Sequence, residues 1–327
     1  RYKDYRGVMH VHSHFSHDSQ GTVEEIRDGA RKAGVQIVMF SEHPADTYDY
    51  FIDGNRGLED GVLFVPGAEQ GGLLKFPLES IQKRPADTPQ TSVDLVRATH
   101  GQVFLSHLEE RMDWELSGLT GSEIYNIHAD FKDEGRFAKA LTNPIQLLGL
   151  IPLIKQYPQE VFAALQDYPA DYLRRWDELC LASRLTGIAA NDAHHNQGMH
   201  AFVDADGKIQ LEDALKQKLA VLDPEKIILL KPLLLGKSPG DTVFRIDMDS
   251  YERSFRHVST HFLMNELNEA EARAALDAGR VYVAFDWMAD PTGFVYRAVG
   301  RGTTWEMGSE VPFEAGLELE AETPLSA

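Results

Sequence analysis

The sequence predicts an α/β fold made of parallel β/α units, followed by a small β-rich appendage at the C-terminus. Short apolar runs typical of strands alternate with helical patterns through the first two-thirds of the 327 residues. Nearly every one of these runs ends in a histidine, an aspartate or a glutamate. From Gly293 onward, apolar and polar residues alternate as they do in antiparallel strands. We therefore expect an α/β domain with insertions over residues 1–290 and a β-rich segment over residues 291–327.

The first β/α unit has the clearest signals. Residues 7–12 predict a strand, and the helix after it begins at Thr22, which is placed to form a capping box with Glu25. Gly34 predicts the end of this helix, because glycine readily adopts the left-handed conformation that follows a last turn. Further strands are predicted at residues 35–40, 62–66, 102–106, 123–127 and 187–190.

The later part of the chain shows different sequence patterns. Helical patterns extend from about residue 144 to residue 186, and residues 226–235 form an apolar block. Residues 268–279 predict an alanine-rich helix that ends at glycine, and residues 280–286 predict a strand. Residues 310–314 are expected to contribute a strand to the appendage.

Composition narrows the classes of partner and ligand. With 51 acidic against 32 basic side chains the formal net charge is −19, so the average surface repels nucleic acid. A small anionic substrate would need a local cationic spot. No apolar run reaches the roughly 18 residues that a membrane-spanning helix needs, and we expect a soluble protein. Because the chain begins at Arg1, both a cytoplasmic protein and a secreted or periplasmic one with its leader removed stay open, and no oligomeric state is indicated.

Cysteine usage excludes two kinds of structure. Cys180 is the only cysteine, so neither an intrachain disulfide nor a thiolate-bound zinc ion is available. Any metal ligands must therefore be histidines and carboxylates. Mixed nitrogen and oxygen ligands suit zinc, manganese or iron better than calcium or magnesium.

His10 and His12 stand at i and i+2 on the first strand and face the same side of it, so they can bind one ion together. Alone, such a pair is a weak signal, since two polar residues at a strand end are common. Other potential ligands follow in the next loop and at the ends of the later strands: Asp18, His43, Glu69, His107, His128, Asp192 and His194. Because the carboxyl ends of parallel strands meet at one edge, these residues predict one multinuclear metal site.

The segment from His10 to Asp18 resembles the opening motif of the PHP (polymerase and histidinol phosphatase) family, H-x-H-[ST]-x-x-S-x-[DH]. The match continues in order through Ser41-Glu42-His43, Glu69, Ser106-His107 and Asp192-Ala193-His194, over roughly residues 5–200. The resemblance implies a distorted seven-stranded (β/α)7 barrel and two or three divalent ions.

The resemblance also implies which residues hold each ion. One ion would take His10, His12, Glu69 and Asp192; a second would share Glu69 and take His107; a third would take Asp18, His43 and His194. Glu42 replaces the family's aspartate and is expected behind the ligands. The family's histidine shortly after the glutamate is missing, since Gln70-Gly71-Gly72 follows Glu69, and His128 is the candidate to fill that place.

Two segments resemble, more loosely, a branch of the family that includes carbamate (carbaryl) hydrolases. They are residues 123–130, which contain His128, and residues 251–261. In the second segment Arg256, with Arg253, His257 and His261 beside it, is the best candidate to bind an anionic substrate group. A surface ion-pair cluster is the competing interpretation.

The expected activity is hydrolysis of a small-molecule phosphomonoester or phosphodiester by a metal-bridging hydroxide, with no separate catalytic residue. Alternatives are a carbamate, amide or carboxylic ester hydrolase with the same metals, and a non-catalytic metal-containing binding module. The broader amidohydrolase barrels are disfavoured, because no lysine stands beside the ligand-bearing strand ends. Outside the site we expect solvent-facing or structural roles for His14, His17, His100, Cys180 and His200, and a core position for Trp287.

Overall fold

The computed structural model describes residues 2–133, 144–164, 166–213 and 216–324. Its main sheet has eleven strands, and six of them form a parallel centre in the order β4-β2-β1-β9-β8-β7. These six are β1 (Lys3–Val11), β2 (Ile37–Phe40), β4 (Val62–Val65), β7 (Gln102–Leu105), β8 (Gly121–Asn126) and β9 (Thr186–Ala193). They are the six strands whose ends carry the predicted metal ligands.

Antiparallel strands flank this parallel centre. β3 (Gly57–Glu59) pairs with β4, and the hairpin of β5 (Ala68–Gln70) and β6 (Leu73–Phe76) pairs with β7 through β6. Near the C-terminal end of the chain, β14 (Ser259–Met264) pairs with β1, and β15 (Val281–Ala284) pairs with β14.

The predicted distorted (β/α)7 barrel is not confirmed, and no closed barrel is found among the described residues. Among the described residues the ladders form an open path that runs from β3 to β5, and the β5–β6 hairpin stands where a regular barrel would have a helical crossover. A single isolated bridge joins Glu42, just after β2, to Ala68 at the start of β5. The coarser prediction of a mixed α/β fold with a mostly parallel central sheet is confirmed.

Eight α-helices lie in the described ranges. They are α1 (Val23–Ala33), α2 (Pro89–Ala98), α3 (Ile127–Asp133), α4 (Pro144–Gln156), α5 (Pro158–Ala163), α6 (Ala170–Cys180), α7 (Tyr251–His257) and α8 (Glu269–Ala278). The capping box of α1 is present: Thr22 Oγ1 accepts from the Glu25 amide, and the Glu25 carboxylate accepts from the Thr22 amide. Gly34 and Gly279 end α1 and α8 with φ angles of 73° and 67°.

Two smaller sheets follow β9. The first was not predicted and consists of β10 (Gly198–Val203), β11 (Ile209–Asp213), β12 (Lys218–Leu222) and β13 (Thr242–Asp247). The second is the predicted β-rich C-terminal part, with β16 (Val295–Gly300), β17 (Thr303–Glu306) and β18 (Glu318–Glu322), all paired antiparallel. Residues 310–314 form no strand, in contrast to the prediction.

The core occupies both faces of the main sheet. Val8, Val38 and Phe40 pack under α1 and α7, while Val93 and Val103 pack where α2 covers the other part of the sheet. These layers fix the strands, and therefore the loops at their carboxyl ends. No helix in the described part of the chain combines the length and the apolar character needed to cross a lipid bilayer.

Candidate metal centre

The carboxyl ends of the six parallel strands converge on one buried cluster of histidines and carboxylates. At its centre His10 Nε2 lies 3.2 Å from both Glu69 Oε2 and Asp192 Oδ1. His12 Nε2 lies 3.6 Å and 3.5 Å from the same two oxygens. The ligand atoms of these four residues all lie within 4.8 Å of one another, which suits a single ion.

A second group adjoins the first. Asp18 Oδ2 lies 3.3 Å from His43 Nε2 and 3.2 Å from His194 Nε2. His12 belongs to this group as well, and its ring stacks on that of His194 with centroids 3.9 Å apart. The structure therefore brings together the three residues expected around another ion and adds His12 to them.

A third set of contacts uses the other oxygens of the two central carboxylates. His107 Nε2 lies 3.3 Å from Glu69 Oε1 and 3.4 Å from Asp192 Oδ2. His128 Nδ1 also lies 3.4 Å from Asp192 Oδ2. Glu69 and Asp192 each face the first group with one oxygen and His107 with the other, as bridging carboxylates do between two ions.

Hydrogen bonds at Nδ1 orient the histidines. His10 donates to Glu123 Oε1 at 2.6 Å and His107 donates to Glu109 Oε1 at 3.2 Å, because a carboxylate can only accept. His194 donates to the Asp192 carbonyl at 2.9 Å. Each of these bonds makes Nδ1 the donor and directs Nε2 into the cluster.

Glu42 acts on His12 through a serine. Ser16 Oγ donates its one proton to Glu42 at 2.6 Å, so the 3.2 Å contact between Ser16 Oγ and His12 Nδ1 has the histidine as donor. Glu42 also accepts from the amide and the hydroxyl of Ser13. Its carboxylate contacts none of the predicted ligands directly and holds the loop that leads to Asp18, while its carbonyl accepts from the Glu69 amide at 3.1 Å.

Several buried atoms of the cluster have no hydrogen-bond partner. They are His10 Nε2, His12 Nε2, Asp18 Oδ1, Asp192 Oδ1 and His194 Nε2. Buried polar atoms are nearly always paired, and orphaned atoms in both groups fit bound cations. The donor set, histidine nitrogen with carboxylate oxygen, suits zinc, manganese or iron.

Electrostatics in the cluster also favour positive charge. Burial opposes a charge on His10, but the carboxylates of Asp192, Glu69 and Glu123 outweigh it and raise its pKa. Burial likewise opposes the charge on His107, yet bonds to Glu109 and Glu69 raise its pKa to about 10. Carboxylates that stabilise protonated histidines would equally stabilise a metal ion.

Three residues of the cluster have left-handed backbones without being glycine. The φ angles are 62° for His10, 46° for His107 and 45° for Asp192. At His10 the pairing register of β1 shifts against both neighbouring strands, as at a β-bulge. Unfavourable backbone conformations of this kind concentrate at functional sites, where the surrounding structure enforces them.

An open cleft of about 500 Å³ leads to the cluster. His43 and Glu69 form its inner wall, and Arg111 and Trp114 line it further out. The Arg111 guanidinium carbon lies 5.4 Å from the Trp114 ring centroid, and Nη1 donates to the carbonyls of Ser106 and His107. No sequence motif singles out Arg111, because its position depends on the short 3₁₀ helix at Leu108–Glu110.

The residues predicted to bind an anionic substrate group do not reach this cluster. Arg256 donates to Glu252 at 3.0 Å and to the Lys32 carbonyl at the far end of α1, away from the ligand-bearing strand ends. Arg253 donates to the Asp247 carbonyl. His257 is buried, and burial lowers its pKa to about 3, so it offers no cation. Their predicted role finds no support in the geometry, because α7 points them away from the cleft.

The remaining predictions concern residues away from the ligands. His261 is buried between Asp4 and Asp286, with contacts of 2.8 Å and 3.1 Å. His14, His17 and His100 are exposed. Trp287 is half-buried and donates to Gln166. Two further residues lie outside the cluster: His200 contacts Thr242 Oγ1, and Cys180, the last residue of α6, is partly buried against the core.

Comparisons with known proteins give little further information. No protein-family model matches the chain, and no curated protein matches it. The chain is similar to a crystal structure of a two-domain protein from Bacteroides vulgatus containing a predicted PHP-like metal-dependent phosphoesterase. The sequences are 14% identical, and the TM-score is 0.43. The match covers 87% of this chain but 65% of the other, and a likeness this distant assigns no activity here.

Proposed function

We propose that this chain is a metal-dependent hydrolase that cleaves a small-molecule phosphoester. The observation that carries the proposal is the set of histidines whose Nδ1 atoms are fixed as donors, so that their Nε2 atoms face two shared carboxylates, Glu69 and Asp192. Orientation by carboxylates and carbonyls behind the ligands is typical of functional metal sites.

The contacts support up to three ion positions in this proposal. His10, His12, Glu69 and Asp192 would hold the first ion, and Asp18, His43 and His194 the next, with His12 beside them. Glu69, His107, Asp192 and His128 would hold a further ion, so that His128 takes the place of the family's missing histidine. The distorted barrel of the PHP family belongs to the same proposal, and the bridge between Glu42 and Ala68 favours it.

Divalent ions in these positions would lower the pKa of an attacking water and neutralise charge on a phosphoryl or carbonyl oxygen. The protein itself fixes the ligand orientations, keeps the inner wall dry and leaves one side open at the cleft. Arg111 and Trp114 are the residues placed to contact the outer part of a substrate.

Charge favours an anionic substrate over a neutral one. The carboxylates of Asp18, Glu69 and Asp192 bring a charge of about −3, and Glu109 and Glu123 behind the histidines add about −2. Three divalent ions would bring about +6 and leave the loaded centre positive inside a protein of net charge −19. Such a spot would attract a phosphoester, and Arg111 adds a further cation at the cleft.

Hydrolysis of a carbamate, amide or carboxylic ester is the alternative. The position of His128 favours it, since that histidine lies in the segment that resembles the carbamate hydrolases and reaches Asp192. The same ions would then polarise a carbonyl group.

The test combines metal analysis with a substrate panel. The purified protein is assayed with manganese, iron or zinc on nitrophenyl phosphate, bis-nitrophenyl phosphate and nitrophenyl acetate. We expect two or three ions per chain and turnover of a phosphoester, abolished in Asp192→Ala and His194→Ala but retained in Asp171→Ala, a control on the exposed face of α6. Preference for the acetate ester would favour the alternative, and fewer than two ions with no turnover would refute both.

A further inference from the structure

A second cavity, of about 320 Å³, adjoins the cleft at the metal centre, since Gln70, Gly71 and Pro89 line both. Consecutive strand residues face opposite sides of a sheet, so Gln70 points away from the side on which Glu69 meets the histidines. Lys75 pairs with Ala68 in the β5–β6 hairpin and shares the face of Gln70. Lys75 therefore lies on the face of the hairpin opposite to Glu69.

Lys75 is an unusual wall residue for this cavity. It is only 5% exposed, and its Nζ donates to a neutral acceptor, Gln70 Oε1, at 3.0 Å. No carboxylate forms an ion pair with it among the residues the structure describes, although acidic side chains outnumber basic ones 51 to 32. Burial lowers the pKa of Lys75 to about 8, so the ammonium still carries its charge at neutral pH.

A buried charge without a counterion is costly, and an anion brought by a ligand would remove that cost. The cavity also contains the first turn of α2, at Thr88, Pro89 and Ser92, where the helix dipole favours negative charge. Arg84 at the rim already pairs with Glu79, at 2.7 Å. Lys75 is thus the cation available to a ligand inside the cavity.

One side of the wall is apolar: Tyr50 and Ile81 are buried, and Leu95 of α2 lies beside them. The other lining residues are mostly polar and include the carboxylate of Asp87. A cation beside an apolar side fits a small molecule that has one acidic group and an apolar body. A multiply charged phosphate would bring excess negative charge near Asp87 and the apolar side.

We propose that this cavity is a binding site for a small organic acid, whose carboxylate accepts a hydrogen bond from Lys75 while its apolar part packs against Ile81 and Leu95. The site contains none of the proposed metal ligands, and the proposal does not depend on the proposed hydrolase activity.

Benzoate is the probe for this site, measured by titration calorimetry on the metal-loaded protein at neutral pH. We expect one saturable site per chain, with acetate and inorganic phosphate binding more weakly. Lys75→Met should weaken benzoate binding about tenfold or more, because a charge-assisted hydrogen bond is lost. The control Lys83→Met removes an exposed lysine outside the cavity and should leave binding unchanged.

Two further experiments test whether benzoate binds at Lys75 or at the metal ions. Asp192→Ala should bind benzoate normally, which would show that benzoate does not bind at the metal ions. In the wild-type protein, benzoate should protect Lys75 but not Lys83 from acetic anhydride, as measured by mass spectrometry of the peptides. No saturable binding, equal binding by Lys75→Met, or loss of binding in Asp192→Ala with no protection of Lys75 would overturn the proposal.

Discussion

The Nδ1 atom of His10 lies 2.6 Å from Oε1 of Glu123, and both side chains are fully out of contact with solvent. Glu123 also accepts from the His107 amide at 2.8 Å and from Asn126 at 3.0 Å. One carboxylate behind the cluster therefore positions two of the proposed ligands.

Replacing Glu123 by glutamine should weaken metal binding without unfolding the protein. The amide keeps the shape of the side chain but accepts more weakly from His10, so we expect a 10- to 100-fold loss of metal affinity. Competition with a fluorescent chelator measures this affinity, and circular dichroism checks the fold. The control is Glu59→Gln, a change at an exposed residue of β3. Wild-type affinity in Glu123→Gln would contradict the positioning role.

Metal ions should stabilise the fold. Binding to the native state alone, at a free metal concentration of about 100 times Kd, adds about 2.7 kcal/mol to the free energy of unfolding. Thermal unfolding with manganese or zinc, compared with unfolding after chelation, should thus show a Tm higher by several degrees. The Asp192→Ala variant should show little of this rise, and an equal rise there would place the stabilising ion elsewhere.

Arg111→Gln should raise the KM for an anionic substrate. Loss of the guanidinium from the cleft is expected to raise the KM for bis-nitrophenyl phosphate about tenfold and to leave that for nitrophenyl acetate near the wild-type value. Arg256→Gln is the matched control, since Arg256 lies away from the cleft. Equal effects of the two substitutions, or equal effects on both substrates, would argue against contact between Arg111 and the substrate.

Gly72→Ala should have the same effect on KM as the Arg111→Gln substitution. Gly71 and Gly72 form the two-residue turn of the β5–β6 hairpin, with φ angles of 61° and 79°. A methyl group at Gly72 would overlap the Arg111 side chain and strain the turn. We expect the same selective rise in KM, and Gly61→Ala, also at positive φ but with nothing near its added methyl group, separates backbone strain from displacement of Arg111.

His257 should make stability depend on pH. Burial holds its folded pKa at about 3, below the roughly 6.5 of an unfolded histidine. The contribution of neutral His257 to the free energy of unfolding is therefore fully present above pH 6.5. It is lost as the pH falls towards 3, by up to about 1.4 kcal/mol per pH unit. The neighbouring titratable groups are the Tyr125 hydroxyl and, beyond it, Asp130.

Urea unfolding at several pH values tests this effect. Between pH 7 and pH 5 the wild-type protein should lose about 2 kcal/mol more stability than His257→Gln does. His100→Gln, at an exposed position, should follow the wild-type protein. Parallel curves for the wild-type protein and His257→Gln would show that His257 is not held neutral.

Much of the proposed ligand set could be predicted from the sequence, because a single rule about parallel β/α folds brings these residues together. In parallel β/α units the strand ends meet at one edge, so His43 after β2 and Asp192 at the end of β9 had to lie close together. The capping box at Thr22 and the glycine at Gly34 predicted α1 closely, since both signals are local.

Features that depend on distant contacts could not be predicted. Glu123 resembles any strand glutamate until the sheet order places β8 where it reaches His10. The helical positions of Arg253 and Arg256 suggested an anion site, but which way α7 faces is decided by packing on α1. The β5–β6 hairpin was not predicted for a similar reason, because so short a hairpin gives a weak sequence signal.

The left-handed backbone conformations of His10, His107 and Asp192 should lower the thermal stability of the protein. Each such conformation costs on the order of 1–3 kcal/mol, and glycine would relieve most of that cost. A directed-evolution experiment that rewards only survival at high temperature should therefore accumulate glycine at these three positions and lose the metal centre. Selection for turnover should retain all three side chains and leave the enzyme less heat-resistant than its fold allows.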